Sequence, residues 1–173
     1  ATGMTRSTAS RLADELVATG ILAELAPTPT AGPGRPAVPL TPASGTFIAI
    51  GLEVNVSRMA VRAIDLSGDV LAERLVVDDF SSSDAHEVLG RLASLLEPLT
   101  ALGPVRSARM VGAALALPGL VSDGVLLRAP NLGWAGIRPA EILAPTLGRL
   151  GTSLVVGNEA DLAALTAARL RPG

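Results

Sequence analysis

The chain has 173 residues, about half of them apolar, with 16 acidic and 14 basic residues, a net charge of −2 and no cysteine. That is room for one ordinary domain, or for a small module plus part of a larger one. The charge excludes polyanion binding by the chain as a whole, so any nucleic-acid contact must come from a local patch. The lack of cysteine excludes a disulfide framework and a thiolate metal site within these residues, and it fits a reducing cytoplasm. No apolar run reaches membrane-spanning length, so no membrane contact is expected. No basic-then-apolar signal pattern opens the chain. The missing initiator Met and the ending Arg-Leu-Arg-Pro-Gly suggest truncation at both ends. Phe47, Phe80 and Trp134 are the only aromatics, so the core must be built from Leu, Val, Ile and Ala.

In chain order, residues 1–25 are expected to be helical and amphipathic. Residues 26–45 (APTPTAGPGRPAVPLTPASG) are too rich in Pro and Gly for a helix. Residues 46–173 alternate strand-like and helical stretches. The runs 46–54, 58–66 and 69–77 are separated by short breaks, which imply antiparallel hairpin neighbours. Residues 83–99 carry apolar residues at 88, 89, 92, 95, 96 and 99, a helical period, with Ser83 placed to cap the helix and Pro98 near its end. The continuous apolar run 110–119 reads as a strand buried on both faces, ended by Pro118-Gly119. A second helix is expected over 139–151, bent or interrupted near Pro145. A strand over 152–158 and an Ala-rich helix over 159–171 complete the chain. This order predicts an α/β domain with a mixed sheet.

Within the first block, apolar residues fall at 9, 12, 13, 16 and 17, one stripe of a helix that Thr5 can cap and Gly20 can end. The other face carries Arg6, Ser7, Ser10 and Arg11. A DNA-recognition helix needs such side chains near its N-terminal end, because Arg can grip guanine in two places. An ordinary amphipathic surface helix would show the same stripe. In the second block, Arg35 sits between helix breakers, where an extended segment can lie along a minor groove. A flexible linker is the plain alternative. Helix and segment together read as the back half of a winged helix-turn-helix. Helices that precede it would pack on Ala9, Leu12, Leu16 and Val17.

Four segments resemble the ROK family of sugar-responsive bacterial repressors and sugar kinases. They are 5–22 (a recognition helix), 34–40 (GRPAVPL, joining wing to effector domain), 111–134 (a Pro-Gly turn, hairpin and Asn-Leu-Gly-Trp run) and 155–165 (VVGNEADLAAL). The resemblance covers nearly the whole chain, and 111–134 is its most specific part. It implies the N-terminal half of an actin-like (ribonuclease H-like) ATPase domain with a mixed sheet, preceded by a partial winged helix-turn-helix. The divisions would be 1–25 for the recognition helix, 26–45 for the wing and linker, and 46–173 for the N-terminal portion of the sugar-binding domain. It also implies that Asn131 and Asn158 hydrogen-bond a sugar, since their side chains both donate and accept. A turn or helix-cap role would suit either Asn as well. Trp134 is expected to be a packing anchor near the cleft.

A ROK kinase requires an Asp-x-Gly-Gly-Thr phosphate loop after the first strand. Here Glu53 falls at the Asp, Asn55 and Val56 at the glycines, and Ser57 at the Thr. A branched Val56 where the backbone should lie open makes close phosphate approach improbable on steric grounds. The family pattern Glu-Asn-Asp-Ala-Asn matches 157–161, with Asn158 kept, Glu159 at the position of the catalytic base and Gly157 at the first Glu. Glu159 extends one methylene further than Asp, and a misplacement of about 1 Å can cost ~100-fold in rate. No cofactor is expected within this chain, while the family's zinc site would lie beyond residue 173. His86, the one histidine, receives no role.

The leading expectation is therefore a cytoplasmic, sugar-responsive DNA-binding regulator of the repressor type, with a degenerate kinase domain. Its partners would be DNA and a sugar or sugar-phosphate effector, and the complete protein would form a homodimer or higher homo-oligomer. The alternatives are an active ATP-dependent sugar kinase, and a protein whose first helix is merely structural.

Overall fold

The computed structural model describes residues 3–27 and 38–170, with side chains described through residue 168; Arg35 lies outside these residues. Helix α1 spans Arg6–Ala18, and the Thr5 hydroxyl caps it by accepting from the Thr8 amide at 3.3 Å. The helix ends at Gly20, as expected of that residue, so the helical block stops short of residue 25. Gly20 adopts φ +74°, its amide donates to the Val17 carbonyl, and Ile21 donates to that of Leu16. This paired closure turns the chain out of the helix. Residues Leu22–Glu24 then form strand β1, not a continuation of α1, and β1 pairs antiparallel with β2 (Leu40–Pro42). No residue of α1 is buried; Leu12 is exposed, and Leu16 and Val17 are half-buried.

The chain then enters a mixed five-stranded sheet. Strands β3 (Phe47–Val54), β4 (Arg58–Asp65) and β5 (Val70–Val77) form the expected antiparallel meander. Strands β6 (Arg109–Leu117) and β10 (Leu154–Asn158) add on parallel, giving the order β10-β6-β3-β4-β5. Between β5 and β6 lie α2 (Ala85–Thr100) and the five-residue α3 (Gly103–Ser107). A second, three-stranded sheet follows β6, made of β7 (Leu120–Ser122), β8 (Val125–Ala129) and β9 (Trp134–Ile137). Helix α4 (Pro139–Arg149) leads into β10, and α5 (Glu159–Leu170) leaves it.

Alternation decides which sheet face is covered. Ile48, Ile50, Leu52, Met59, Val61, Ala63, Leu115 and Leu117 point to one side, where Val88, Leu89, Leu92, Leu96 and Leu99 of α2 and Leu143 and Leu147 of α4 meet them. Each such Leu or Ile contributes about 1.5–3 kcal/mol by leaving water. The opposite face is only partly covered. Strand β6 is consequently not buried on both sides: Ala113, Leu115 and Leu117 are buried, while Ala114 and Ala116 are half-buried and Val111 is 58% exposed. The apolar run was a poor guide because its outward members are mostly Ala and Gly.

Two further expectations need correction. Asp84, not Ser83, caps α2, accepting from the Glu87 amide at 2.8 Å. The carboxylate also suits the helix dipole better than a hydroxyl. Helix α4 runs continuously through Pro145. Pro145 lacks the amide that would bond the Glu141 carbonyl, but both residues are exposed, so water can take that bond's place.

Candidate functional site

Strands β3, β6 and β10 run parallel, so their C-terminal ends share one edge of the sheet. Ligands of open α/β sheets bind at that edge. Three turns meet there: 55–57 after β3, Pro118-Gly119 after β6, and Asn158-Glu159 after β10.

The first turn is closed on itself. Asn55 Oδ1 accepts from the Ser57 amide at 3.0 Å, the Ser57 hydroxyl at 3.2 Å and the Arg58 amide at 3.1 Å. Its Nδ2 donates to Glu53 Oε1 at 2.9 Å. Arg58 donates to the same oxygen through Nε at 2.9 Å and sits 2.7 Å away through its terminal nitrogen. Thus the amides that a glycine loop would turn toward a phosphate are engaged by a side chain. The carboxylate at the family's Asp position is engaged by a guanidinium. Arg58 was not among the predicted site residues, although the antiparallel register, which sets Glu53 opposite Ala60, puts residues 53 and 58 on one face.

At the second turn Gly119 has φ +123°, and a Cβ built there would lie 2.3 Å from the Arg128 carbonyl oxygen. Only glycine permits the turn after β6 to lie against β8 this closely. Asn158 spans the second and third turns. Its Nδ2 donates to the Gly119 carbonyl at 2.5 Å, and its Oδ1 accepts from Ala160 and Asp161 amides at 2.8 and 3.2 Å. Asn158 is therefore the cap of α5 and the tie between β10 and the Gly119 turn. Asn131 lies exposed in the turn after β8, away from these bonds but two residues beyond Ala129, against which Gly119 packs. Trp134 is buried, and its indole N–H donates to the Ser83 carbonyl and hydroxyl at 3.0 and 3.2 Å. The displaced cap candidate thus anchors the Asn-Leu-Gly-Trp run.

On the open face of the sheet, a groove of about 880 Å³ is lined by Glu53, Arg58 and Arg62 from the meander and by Glu159, Leu162 and Thr166 from α5. It brings Glu53 and Glu159 into one space but includes neither Asn131 nor Asn158. At Gly157 an added Cβ would lie 3.0 Å from the Leu162 side chain, so α5 closes the place of the family's first Glu.

Arg6, Ser7, Ser10 and Arg11 are all exposed on α1, remote in sequence and fold from this groove. Arg11 pairs with Glu15 at 2.5 Å, both well exposed. Such a pair is worth a fraction of a kcal/mol, so it releases readily to another anion.

Asp65 was also not foreseen. It is buried and carries five hydrogen bonds, from the Ser67 hydroxyl and amide, the Asp69 amide, the Ser44 hydroxyl and the Gly45 amide. The Ser67 hydroxyl above all, then those from residues 44, 45 and 69, hold its carboxyl well below the usual carboxylate range despite burial.

No protein-family model matches the chain. It is 26% identical over 164 residues to a putative xylose repressor of Caldicellulosiruptor sp. (strain Rt8B.4) and 24% identical over 164 residues to the xylose repressor of Caldicellulosiruptor bescii; each match covers 94% of this chain and 40% of the relative. Among solved structures, a ROK family transcriptional regulator homologous to the E. coli MLC protein superposes with a TM-score of 0.61 at 21% identity, covering 90% of this chain and 38% of that one. In sequence the chain is thus similar to sugar repressors, and in fold to a ROK family regulator. Its fold is shared by a sugar kinase as well. A polyphosphate/ATP-glucomannokinase of Arthrobacter sp. strain KM superposes with a TM-score of 0.60 at 24% identity, covering 74% of this chain and 50% of the kinase. The mixed sheet and its strand order are thus the actin-like arrangement the ROK resemblance implied. The chain spans about 40% of the length of the curated relatives it matches. Among the described residues, no helix is long and apolar enough to cross a membrane.

Proposed function

We propose that the protein is a sugar-responsive, DNA-binding transcriptional regulator whose kinase-like domain senses a sugar without transferring phosphate. In this reading α1 is the recognition helix of a winged helix-turn-helix and the β1–β2 pair is the base of its wing. Residues 1–25 and 26–45 then form the reading module, and 46–173 form the N-terminal portion of the sugar-binding domain.

The observation that carries the proposal is this pairing of module and domain. The ROK regulator aligns over 90% of the chain, module included, whereas the glucomannokinase aligns over 74%, roughly the share of residues 46–173 alone. The relatives named as xylose repressors likewise align over 94%. The closed Asn55 turn supports the absence of phosphoryl transfer. A sugar or sugar phosphate would occupy the edge formed by Asn131, Asn158 and Glu159, and a homodimer would set the spacing of two reading helices. A cytoplasmic location accompanies this role. Arg6, Ser7, Ser10, Arg11 and Arg35 would contact DNA.

The test uses the full-length protein with fragments of its own upstream DNA, at several salt concentrations, with and without a panel of pentoses and hexoses. Selective binding that weakens with salt, shifts with one sugar and falls in Arg6→Ala and Arg11→Ala is expected. An absence of sequence-selective binding under every condition contradicts it. A sugar kinase is the second reading, favoured by Glu53 and Glu159 facing one groove. ATP-dependent sugar phosphorylation that Glu159→Gln abolishes would establish it.

A further inference from the structure

Asp65 stands where two bodies of the molecule meet. Its Oδ1 accepts from the Ser67 amide at 3.0 Å, the Ser67 hydroxyl at 2.5 Å and the Asp69 amide at 3.0 Å, all within the β4–β5 hairpin turn. Its Oδ2 accepts from the Ser44 hydroxyl at 2.7 Å and the Gly45 amide at 2.9 Å, just after β2 and before β3. A hairpin turn of this kind is complete with the first oxygen alone. The second oxygen is spent wholly on the segment that leads out of the α1–β1–β2 module.

That segment also carries the docking contact for α1. The Thr46 hydroxyl donates to the Gly20 carbonyl at 2.6 Å, at the end of the helix, and the Thr46 methyl lies where any Cβ on Gly20 would be 3.4 Å away. The Thr46 carbonyl in turn accepts from the Arg109 amide at 2.8 Å, at the start of β6. Beyond these bonds the attachment is thin. Among the described residues, no helix or strand of the module packs extensively on one of the domain, and α1 has no buried residue.

We infer that Asp65 is the residue that couples the orientation of the α1–β1–β2 module to the five-stranded sheet, one carboxylate oxygen holding each body. The chemistry requires a carboxylate. Both oxygens face only N–H and O–H donors, so an amide in its place turns its own donor against one of the two sets. The neighbouring residue of β4, Ile64, lines the groove on the open face, as does Arg62. An occupant that displaces β4 there moves Asp65, and Asp65 moves Ser44, Gly45 and Thr46 with it. This holds whatever the module binds, so it is independent of the proposed DNA role.

These 173 residues contain no cysteine, so introduced labels meet no other thiol among them, and any exposed cysteine elsewhere in the full chain is first changed to Ser. Labels at Asp14→Cys on α1 and Glu87→Cys on α2, both exposed, report the module-to-domain distance in the full chain without DNA. The unsubstituted background is expected to give one narrow distance. Asp65→Asn loses it in favour of a broad distribution, while hydrogen exchange in β6 keeps its protection. Should Asp65→Asn fail to fold, the Ser44→Ala/Thr46→Val pair decides, because it leaves the Oδ1 side of the latch whole and is expected to broaden the distance likewise. A narrow, unshifted distance in a folded Asp65→Asn protein, or in the Ser44→Ala/Thr46→Val protein, overturns the inference.

Discussion

The turn after β3 and the turn after β10 lie at the same edge of the sheet, yet their polar atoms are occupied differently. After β3, Asn55 gathers the Ser57 and Arg58 amides and, with Arg58, holds Glu53. The Ser57 and Arg58 amides and the Ser57 hydroxyl, which could meet a phosphate, are already bonded to Asn55. After β10, Asn158 closes the helix end and ties to Gly119, but Glu159 remains exposed along the groove. The turn after β3 is thus tied up by its own side chains, while the turn after β10 leaves Glu159 open to the groove. Turns at one sheet edge can differ in this way because each is built by its own few residues. The strands behind both turns are held by the same α2 and α4 core.

The strongest way to break this comparison is to damage the turn to which Asn158 ties β10. Gly119→Ala places a methyl 2.3 Å from a backbone carbonyl at φ +123°. A loss on the order of 4 kcal/mol is expected, read as a lower midpoint in urea unfolding. A near-neutral result would mean that the Gly119 turn separates easily from β8 and that the edge is not fixed.

Asp65 comes next. Its carboxyl is held below its unfolded value, so its contribution is present above about pH 4 and is lost as pH falls through the acid range below that. Asp65→Asn is expected to cost about 3 kcal/mol at pH 7. It should also flatten the acid side of a stability–pH profile measured by denaturant unfolding at constant ionic strength. Asp78 and Asp79, whose carboxyls are also lowered by hydrogen bonds from Arg91 and Ser81 respectively, leave some acid sensitivity behind.

How far the sequence foretold these features depends on the range of the interaction. The β3–β5 meander was readable because three- and two-residue breaks between extended runs leave few other pairings. Helix α2 was readable from its apolar spacing, and its cap was missed by one residue because Ser83 and Asp84 are both good caps. Strands β1 and β2 were missed because three-residue strands carry no periodicity, and α3 because five residues with Gly and Pro do not resemble a helix. Asp65 was missed for a different reason. The turn Asp-Leu-Ser-Gly-Asp looks ordinary, and only the fold brings Ser44 and Gly45 to its second oxygen. Glu53, Asn55, Asn158 and Glu159 were placed by resemblance, but that Asn55 satisfies its own turn is a short-range contact that few sequence rules anticipate.

Two smaller effects sharpen the contrast between the turns. Asn158→Ala removes the α5 cap and the bond to Gly119, and is expected to cost about 1–2 kcal/mol in the same unfolding assay. Asn55→Gly frees the Ser57 and Arg58 amides to water and is expected to cost about 1 kcal/mol. By itself it should not create nucleotide affinity, because Val56 still crowds the backbone. The triple change Glu53→Asp, Asn55→Gly, Val56→Gly is the version expected to regain phosphate contact, read by calorimetric titration with Mg-ATP in the full-length protein.

The account rests on the sealed turn, and phosphoryl transfer tests it most directly. Full-length protein, incubated with Mg-ATP and each sugar that alters its DNA binding, is to be assayed for sugar phosphate and ADP. The expected result is sugar-dependent DNA binding with no phosphorylated product. Catalytic turnover that vanishes in Glu159→Gln would contradict the account.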